Sequence, residues 1–219
     1  MAVNYQETNA AGLLPIGGIG IFVGQAGVKK PQHDDLTLLT LSAGCTVGAV
    51  FTQNRFCAAP VRVCKRHLTR AAHIRALVVN TGNANAGTGE EGYERAVAVC
   101  EAAAKQAGCK TEEVLPFSTG VILEPLPADK ITAALPKVRP ADWLAAARAI
   151  MTTDTVAKAA SRAGQVGGSH TVRATGIAKG SGMIHPNMAT MLGFIATDAN
   201  IAQPVFQLLT QEIADMSFN

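Results

Sequence analysis

Aromatic side chains are scarce in this 219-residue chain, at 5%, and charged residues make up only 16%. With few rings to stack bases and 19 Lys+Arg against 16 Asp+Glu, a net charge of +3, composition argues against a nucleic-acid partner. The five cysteines, Cys45, Cys57, Cys64, Cys100 and Cys109, are odd in number and contain no C-x-x-C pair, so neither a disulfide framework nor a zinc site is expected. The histidines His33, His67, His73, His170 and His185 fall in no ligand spacing such as H-x-x-x-H, which argues against a metal centre. No G-x-S-x-G elbow of a serine hydrolase exists either. The opening MAVNYQE lacks the basic patch and apolar run of a secretory signal, so cytoplasm is the expected address. The longest charge-free run, residues 36–54, carries Gly44, Gly48 and four threonines and reads as two buried strands rather than a membrane span.

What the chain does have is aliphatic bulk. Hydrophobic residues reach 48%, too many for a disordered chain and enough for a large core. β-Branched and aliphatic runs predict strands near residues 19–23, 36–41, 46–52, 61–64 and 76–80. An Ala-rich stretch predicts a helix over 92–107, closed by a left-handed cap at Gly108. Shorter helices are expected at 128–135 and at 141–151, the latter with Pro140 near its first turn. Residues 171–197 return to strand character, and Val205, Leu208, Leu209 and Ile213 mark a final helix. Alternating strands and helices without repeats predict a layered α/β sandwich with largely buried sheets. That last helix runs almost to Asn219 with no cap or return strand, which reads as a partial chain.

Several polar clusters interrupt this pattern. Gly17-Gly18-Ile19-Gly20 precedes a strand, whereas a dinucleotide loop must follow one and open a helix, so it reads as a turn. Asn80-Thr81-Gly82-Asn83-Ala84-Asn85-Ala86-Gly87-Thr88-Gly89 does lie between strand and helix. It fits either an anion-holding loop without a P-loop lysine or a long turn pinned by Asn side chains, and the residues leave both open. Ser118-Thr119-Gly120 follows the apolar run 114–117, placing a hydroxyl beside a Gly N–H at an expected strand end. Neighbouring donors of that kind suit an oxyanion, although a plain turn has the same composition. Thr152-Thr153-Asp154-Thr155 offers three hydroxyls and a carboxylate to a polar ligand, but such a run equally stops one helix and caps the next turn, the reading favoured from these residues alone.

The most informative stretch is KGSGMIHPNMATMLGF at 179–194. It resembles the self-cleavage segment of the ornithine acetyltransferase family, enzymes of the acetyl cycle of arginine biosynthesis. QAGVKK at 25–30, FTQNRFCAAPV at 51–61, NTGNANAGTG at 80–89, PFSTGVIL at 116–123 and MTTDT at 151–155 resemble the same family in the same order. The resemblance therefore spans nearly the whole chain.

It implies an αββα-type sandwich of the ornithine acetyltransferase and N-terminal-nucleophile aminopeptidase kind. It also implies a precursor cut between Ala189 and Thr190, with residues 1–189 as an α chain and 190–219 as the start of a β chain. Thr190 is then the nucleophile, Thr119 and Gly120 the oxyanion-stabilising pair, and Thr153, Lys179 and Thr190 substrate-binding positions. The implied substrates are N2-acetylornithine and glutamate, with acetyl-CoA as a second donor in some members. The implied assembly is an α2β2 heterotetramer without metal or organic cofactor. Physically, a threonine hydroxyl is a weak nucleophile, and freeing its own α-amine, of pKa about 7.7–8.0, supplies the base it needs. Two other classes stay open: a self-processing aminopeptidase or amidase that passes its acyl group to water, and a nucleotide-binding module built on the 80–89 loop.

Overall fold

Apolar side chains alternating along the strands set the central sheet. The computed structural model describes residues 9–181 and 191–218. Strands β1 (Ile19–Gly24), β2 (Leu36–Leu41), β3 (Ala76–Asn83), β4 (Val114–Val121) and the two-residue β5 (Arg139–Pro140) form one sheet in the order β4-β3-β2-β1-β5. Only β3 and β4 pair in parallel, with the helical crossover such a connection requires between them. Leu36, Leu38, Ala76 and Val78 pack beneath α2 (Gly89–Ala107) and α3 (Ala128–Ala134), while Leu77 and Val79 join a second core on the opposite face. That period-two division makes both faces of the sheet buried.

The second core is built from α4 (Trp143–Ala149) and a three-stranded antiparallel sheet of β6 (Lys158–Val166), β7 (His170–Lys179) and β8 (Leu192–Thr197). Trp143, Ala146 and Ala147 of α4 pack with Ile177 of β7 and Phe194 of β8. Phe117 of β4 meets Phe194 edge-on, with ring centroids 4.9 Å apart, a favoured geometry for aromatic pairs. The layered α/β sandwich is therefore observed, with helices on one sheet and a second sheet across the inner core.

Four expectations change. Residues 61–64, expected as a strand, lie in helix α1 (Ala59–Arg70). Pro60 in its first turn presets the backbone, and Val63, Cys64 and His67 share one buried face, so helical spacing overrides the β-branched composition. His67 Nδ1 lies 2.7 Å from the Val114 carbonyl and the Cys64 thiol donates to the Pro116 carbonyl at 3.2 Å, which pins α1 to β4. Residues 46–52 form no strand. Their backbone is gripped instead by helix α5 (Gln203–Ser217): the Gln203 amide donates to and accepts from Val47 at 2.7 and 3.0 Å, and Gln207 does the same to Ala49 at 2.9 and 3.0 Å. Two side-chain amides one helical turn apart thus take the place of a neighbouring strand.

The helix expected at 141–151 is shorter, because Asp142 caps it by accepting the Ala145 N–H at 2.7 Å and Pro140 belongs to β5. Strand β6 was not anticipated; its polar sequence hides the signal, and it is set by pairing with β7 through a turn in which Gly167 and Gly168 both have positive φ. The helix expected at 92–107 begins three residues earlier, at Gly89, and its left-handed cap at Gly108 is as expected. The turn entering β1 is also as read, with Gly18 at φ 83°.

Candidate active site

The polar clusters converge because the ends of both sheets open on one side. Ser118-Thr119-Gly120 is not a turn after a strand, as composition suggested, but lies inside β4, opposite Asn80, Thr81 and Gly82 of β3. Asn83 pairs with both Thr119 and Val121, an irregularity at the sheet edge of the kind that re-aims side chains. Gly120 has φ 137°, and a Cβ there would lie 2.4 Å from the Gly82 carbonyl carbon, so only glycine fits.

The end of β3 and the segment that leads from it into α2 are held by their own asparagines. Asn80 Nδ2 donates to the Asn83 carbonyl at 2.9 Å, Asn83 Oδ1 accepts the Asn85 N–H at 2.7 Å, and Asn85 Nδ2 donates to the Gly92 carbonyl at 2.8 Å. Asn83 Nδ2 reaches the carbonyls of Glu124 and Pro125, both at 3.1 Å. Residues 80–83 extend β3 rather than form a loop, and for 84–88 the pinned-turn reading is the one these bonds favour. Asn80 Oδ1 in addition accepts the Ser118 hydroxyl at 2.6 Å, so β3 fixes the β4 residue next to Thr119.

Thr119 and Lys179 meet across the two sheets. Both are buried, and Lys179 Nζ, from the end of β7, donates to Thr119 Oγ1 at 3.0 Å. Burial lowers the Lys179 pKa; the Asp154 carboxylate works against this and the Lys158 ammonium adds to it, leaving the amine more readily deprotonated than an ordinary lysine. Because the lysine occupies a lone pair of the hydroxyl oxygen, the Thr119 O–H can donate elsewhere.

Asp154 does not cap a turn, as the sequence suggested. Its Oδ1 accepts the Gly180 N–H at 2.9 Å and pairs with Lys158, and its Oδ2 accepts the Thr152 N–H at 3.4 Å. Burial pushes its carboxyl up, but the Lys158 hydrogen bond, the two backbone donors and the lysine charge together outweigh that and hold it below the ordinary carboxylate range. Asp154 stands out in sequence within MTTDT, but its pairing with Lys158 carries no signal there, because four-residue spacing outside a helix does not bring side chains together by itself.

An open cleft of about 1250 Å³ lies here, its wall including Thr119, Gly120, Thr153, Asp154, Lys179, Ser181 and Met191. The expected positions Thr119, Gly120, Thr153 and Lys179 are thus brought together. Thr190 and Ala189 lie outside the described residues, but Ser181 and Met191, which flank residues 182–190, both face this cleft. Lys29 and Lys30 line its rim on a loop tied down by Asp35, whose carboxylate accepts the N–H groups of Ala26 and Val28 at 2.6 and 2.7 Å. Among the described residues, no cluster of His, Cys, Asp or Glu has the arrangement of a metal site. No helix among them is long and apolar enough to cross a membrane.

Known proteins resemble the chain along its whole length. The chain is 71% identical over all its 219 residues to the arginine biosynthesis bifunctional protein ArgJ of Neisseria meningitidis serogroup A, covering 54% of that protein. The Neisseria gonorrhoeae protein of the same name matches at the same 71% identity and 54% coverage. The chain thus spans about half the length of these relatives. A crystal structure of arginine biosynthesis bifunctional protein ArgJ from Bacillus halodurans superposes with a TM-score of 0.76 at 34% identity, over 84% of this chain and 97% of that one. Ornithine acetyltransferase from Mycobacterium tuberculosis, complexed with ornithine, superposes with a TM-score of 0.67 at 30% identity, over 83% of this chain and 97% of that one. With the family model matching residues 21–219 as well, this chain belongs to the ArgJ family.

Proposed function

We propose that this chain carries the nucleophile and oxyanion-binding part of an acetyltransferase that moves the acetyl group of N2-acetylornithine to glutamate. The observation that carries the reading is the contact between Lys179 and Thr119, next to Gly120, in a cleft whose wall also holds both residues flanking 182–190. The named relatives, one of them bound to ornithine, give the substrate class.

Maturation begins when the Thr190 hydroxyl attacks the Ala189 carbonyl and the peptide C–N bond breaks, which frees the Thr190 α-amine and leaves an ester that water opens to an Ala189 carboxylate and the threonine hydroxyl. In turnover that amine accepts the hydroxyl proton as the oxygen attacks the acetyl carbonyl. The Thr119 hydroxyl and Gly120 N–H stabilise the resulting oxyanion. Collapse expels the α-nitrogen of ornithine, which takes the proton, and leaves acetyl-Thr190. The glutamate amine then attacks the ester, N-acetylglutamate departs, and the threonine hydroxyl is restored. Thr153 and Lys179 hold the polar parts of the amino-acid substrate. In the same scheme acetyl-CoA serves as a second acyl donor, which accords with the word bifunctional in the relatives' names. The assembled enzyme is an α2β2 heterotetramer of cytoplasmic α and β chains.

Two measurements test this in the full-length enzyme. Intact mass is expected to show two fragments parting before Thr190, and Thr190→Ala to leave one uncut, inactive chain; two fragments from that variant would displace Thr190 as nucleophile. N-Acetylornithine carrying labelled acetyl is expected to acetylate the fragment that begins at Thr190, with glutamate discharging it faster than water. Release as free acetate at the same rate with and without glutamate would favour the aminopeptidase-like hydrolase.

A further inference from the structure

Gly180 lies where β7 ends, directly after Lys179, and its two backbone polar groups are held from two directions. Asp154 accepts its N–H at 2.9 Å, and Lys158 donates to its carbonyl oxygen at 3.0 Å while pairing with Asp154. The Asp154 side chain is wholly out of solvent, and its second oxygen is tied to Thr152 N–H, beside the cleft residue Thr153. Two segments that line the cleft, 151–155 and the end of β7, are thereby bound to one carboxylate. An ion pair with one buried partner adds little net stability, since desolvation offsets most of its attraction, but its geometric demands fix what it touches.

We propose that Asp154 and Lys158 act as a positioning pair, clamping the Gly180 peptide so that Lys179 is held against Thr119. The inference rests on the reading of Lys179 and Thr119 given under Proposed function. It assigns neither residue contact with substrate. The end of β7 would drift without the clamp, and the ammonium would lose its aim at a hydroxyl 3.0 Å away. Misplacement of that kind costs about 10–100-fold in rate even when the fold is intact.

The test is a double-mutant cycle in the full-length enzyme. Lys158→Met is the first variant, because Lys158 is partly exposed and its loss leaves the backbone donors on Asp154 in place. It is expected to lower kcat for acetyl transfer by about 10–100-fold. Lys158→Arg is expected to recover most of the loss, since a guanidinium can donate to the carboxylate and the carbonyl at once. On the background of Lys179→Ala, Lys158→Met is expected to cost no more than about 2-fold further, because a residue acting through Lys179 has nothing left to position. An equal loss on both backgrounds overturns the positioning role and leaves only a structural one. Asp154→Asn replaces Lys158→Met in the cycle should the latter fail to fold. Full transfer by Lys179→Ala alone overturns the reading of the site itself, an outcome distinct from additive losses.

Discussion

At the scale of single residues, the site depends on two neighbours in β4 that differ in what they tolerate. Thr119 contributes a hydroxyl, and Thr119→Ala removes one donor without opening a large cavity. Under the proposed mechanism kcat falls by roughly 10²–10³-fold with the thermal midpoint nearly unchanged; full turnover in that variant would return the residue to a packing role. Gly120 contributes a backbone that no side chain can share, since its Cβ would strike Gly82 and Asn83 within 2.4–2.6 Å. Gly120→Ala is therefore expected to destabilise by at least about 2 kcal/mol, from overpacking together with a strained positive φ. Chemical denaturation separates the two cases, because an unshifted midpoint for Gly120→Ala would mean the strands part at little cost. Motif resemblance found both residues, but it could not reveal that Thr119 is engaged by Lys179 from another sheet.

Among the elements, α5 and the extended segment at 46–52 form the contact least visible in sequence. Gln203 and Gln207 sit one turn apart and meet backbone groups at Val47 and Ala49, two residues apart, so the helix rise matches the strand-like rise of the segment. In the proposed mature enzyme this clamp joins the two fragments, alongside the β7–β8 ladder that pairs Lys179 with Leu192. Gln203→Ala combined with Gln207→Ala removes four hydrogen bonds that are partly open to solvent, a loss of about 1–3 kcal/mol for the local contact. Faster amide exchange at Val47 and Ala49, with β3 still protected, is the expected signature. Unchanged exchange would show that the amides do not hold the segment.

For the molecule as a whole, the buried ionisable groups set how stability depends on pH. Lys179 has a folded pKa below its ordinary value, near 10.4, so between the two values the unfolded chain binds more protons. Its contribution to stability therefore rises as pH climbs through that window. Asp154, lowered in the fold, contributes stability that is present above the ordinary carboxylate value, about 3.9, and is lost as pH falls through its folded value. The buried thiols Cys64 and Cys100, raised chiefly by burial, act in the opposite sense: above about pH 8.5 the native state retains protons the unfolded chain gives up, and stability falls. Denaturation midpoints of Lys179→Met against the parent isolate one term, and the variant is expected to lose stability more steeply as pH rises toward the ordinary lysine value of about 10.4. Parallel profiles would mean that Lys179 is not desolvated in the native state.

The residues alone determined the central strands β1, β2 and β3, the long helix with its Gly108 cap, the final helix and the polar clusters around the cleft, because each rests on local spacing or on a motif read in order. They were silent or misleading wherever a partner distant in the chain decided the outcome. The run at 61–64 became helix because its apolar face meets β4, residues 46–52 remained extended without a ladder because two glutamines occupy that edge, and polar β6 became a strand because β7 pairs with it. The site divides along the same line. Ser118-Thr119-Gly120 and Lys179 were legible as separate motifs, but their contact, the burial that lowers the lysine pKa and the Asp154–Lys158 grip on Gly180 arise only when two sheets end side by side. Sequence spacing governs which residues share a face of one element; only packing decides which faces exclude water together, and with it which charges must find each other.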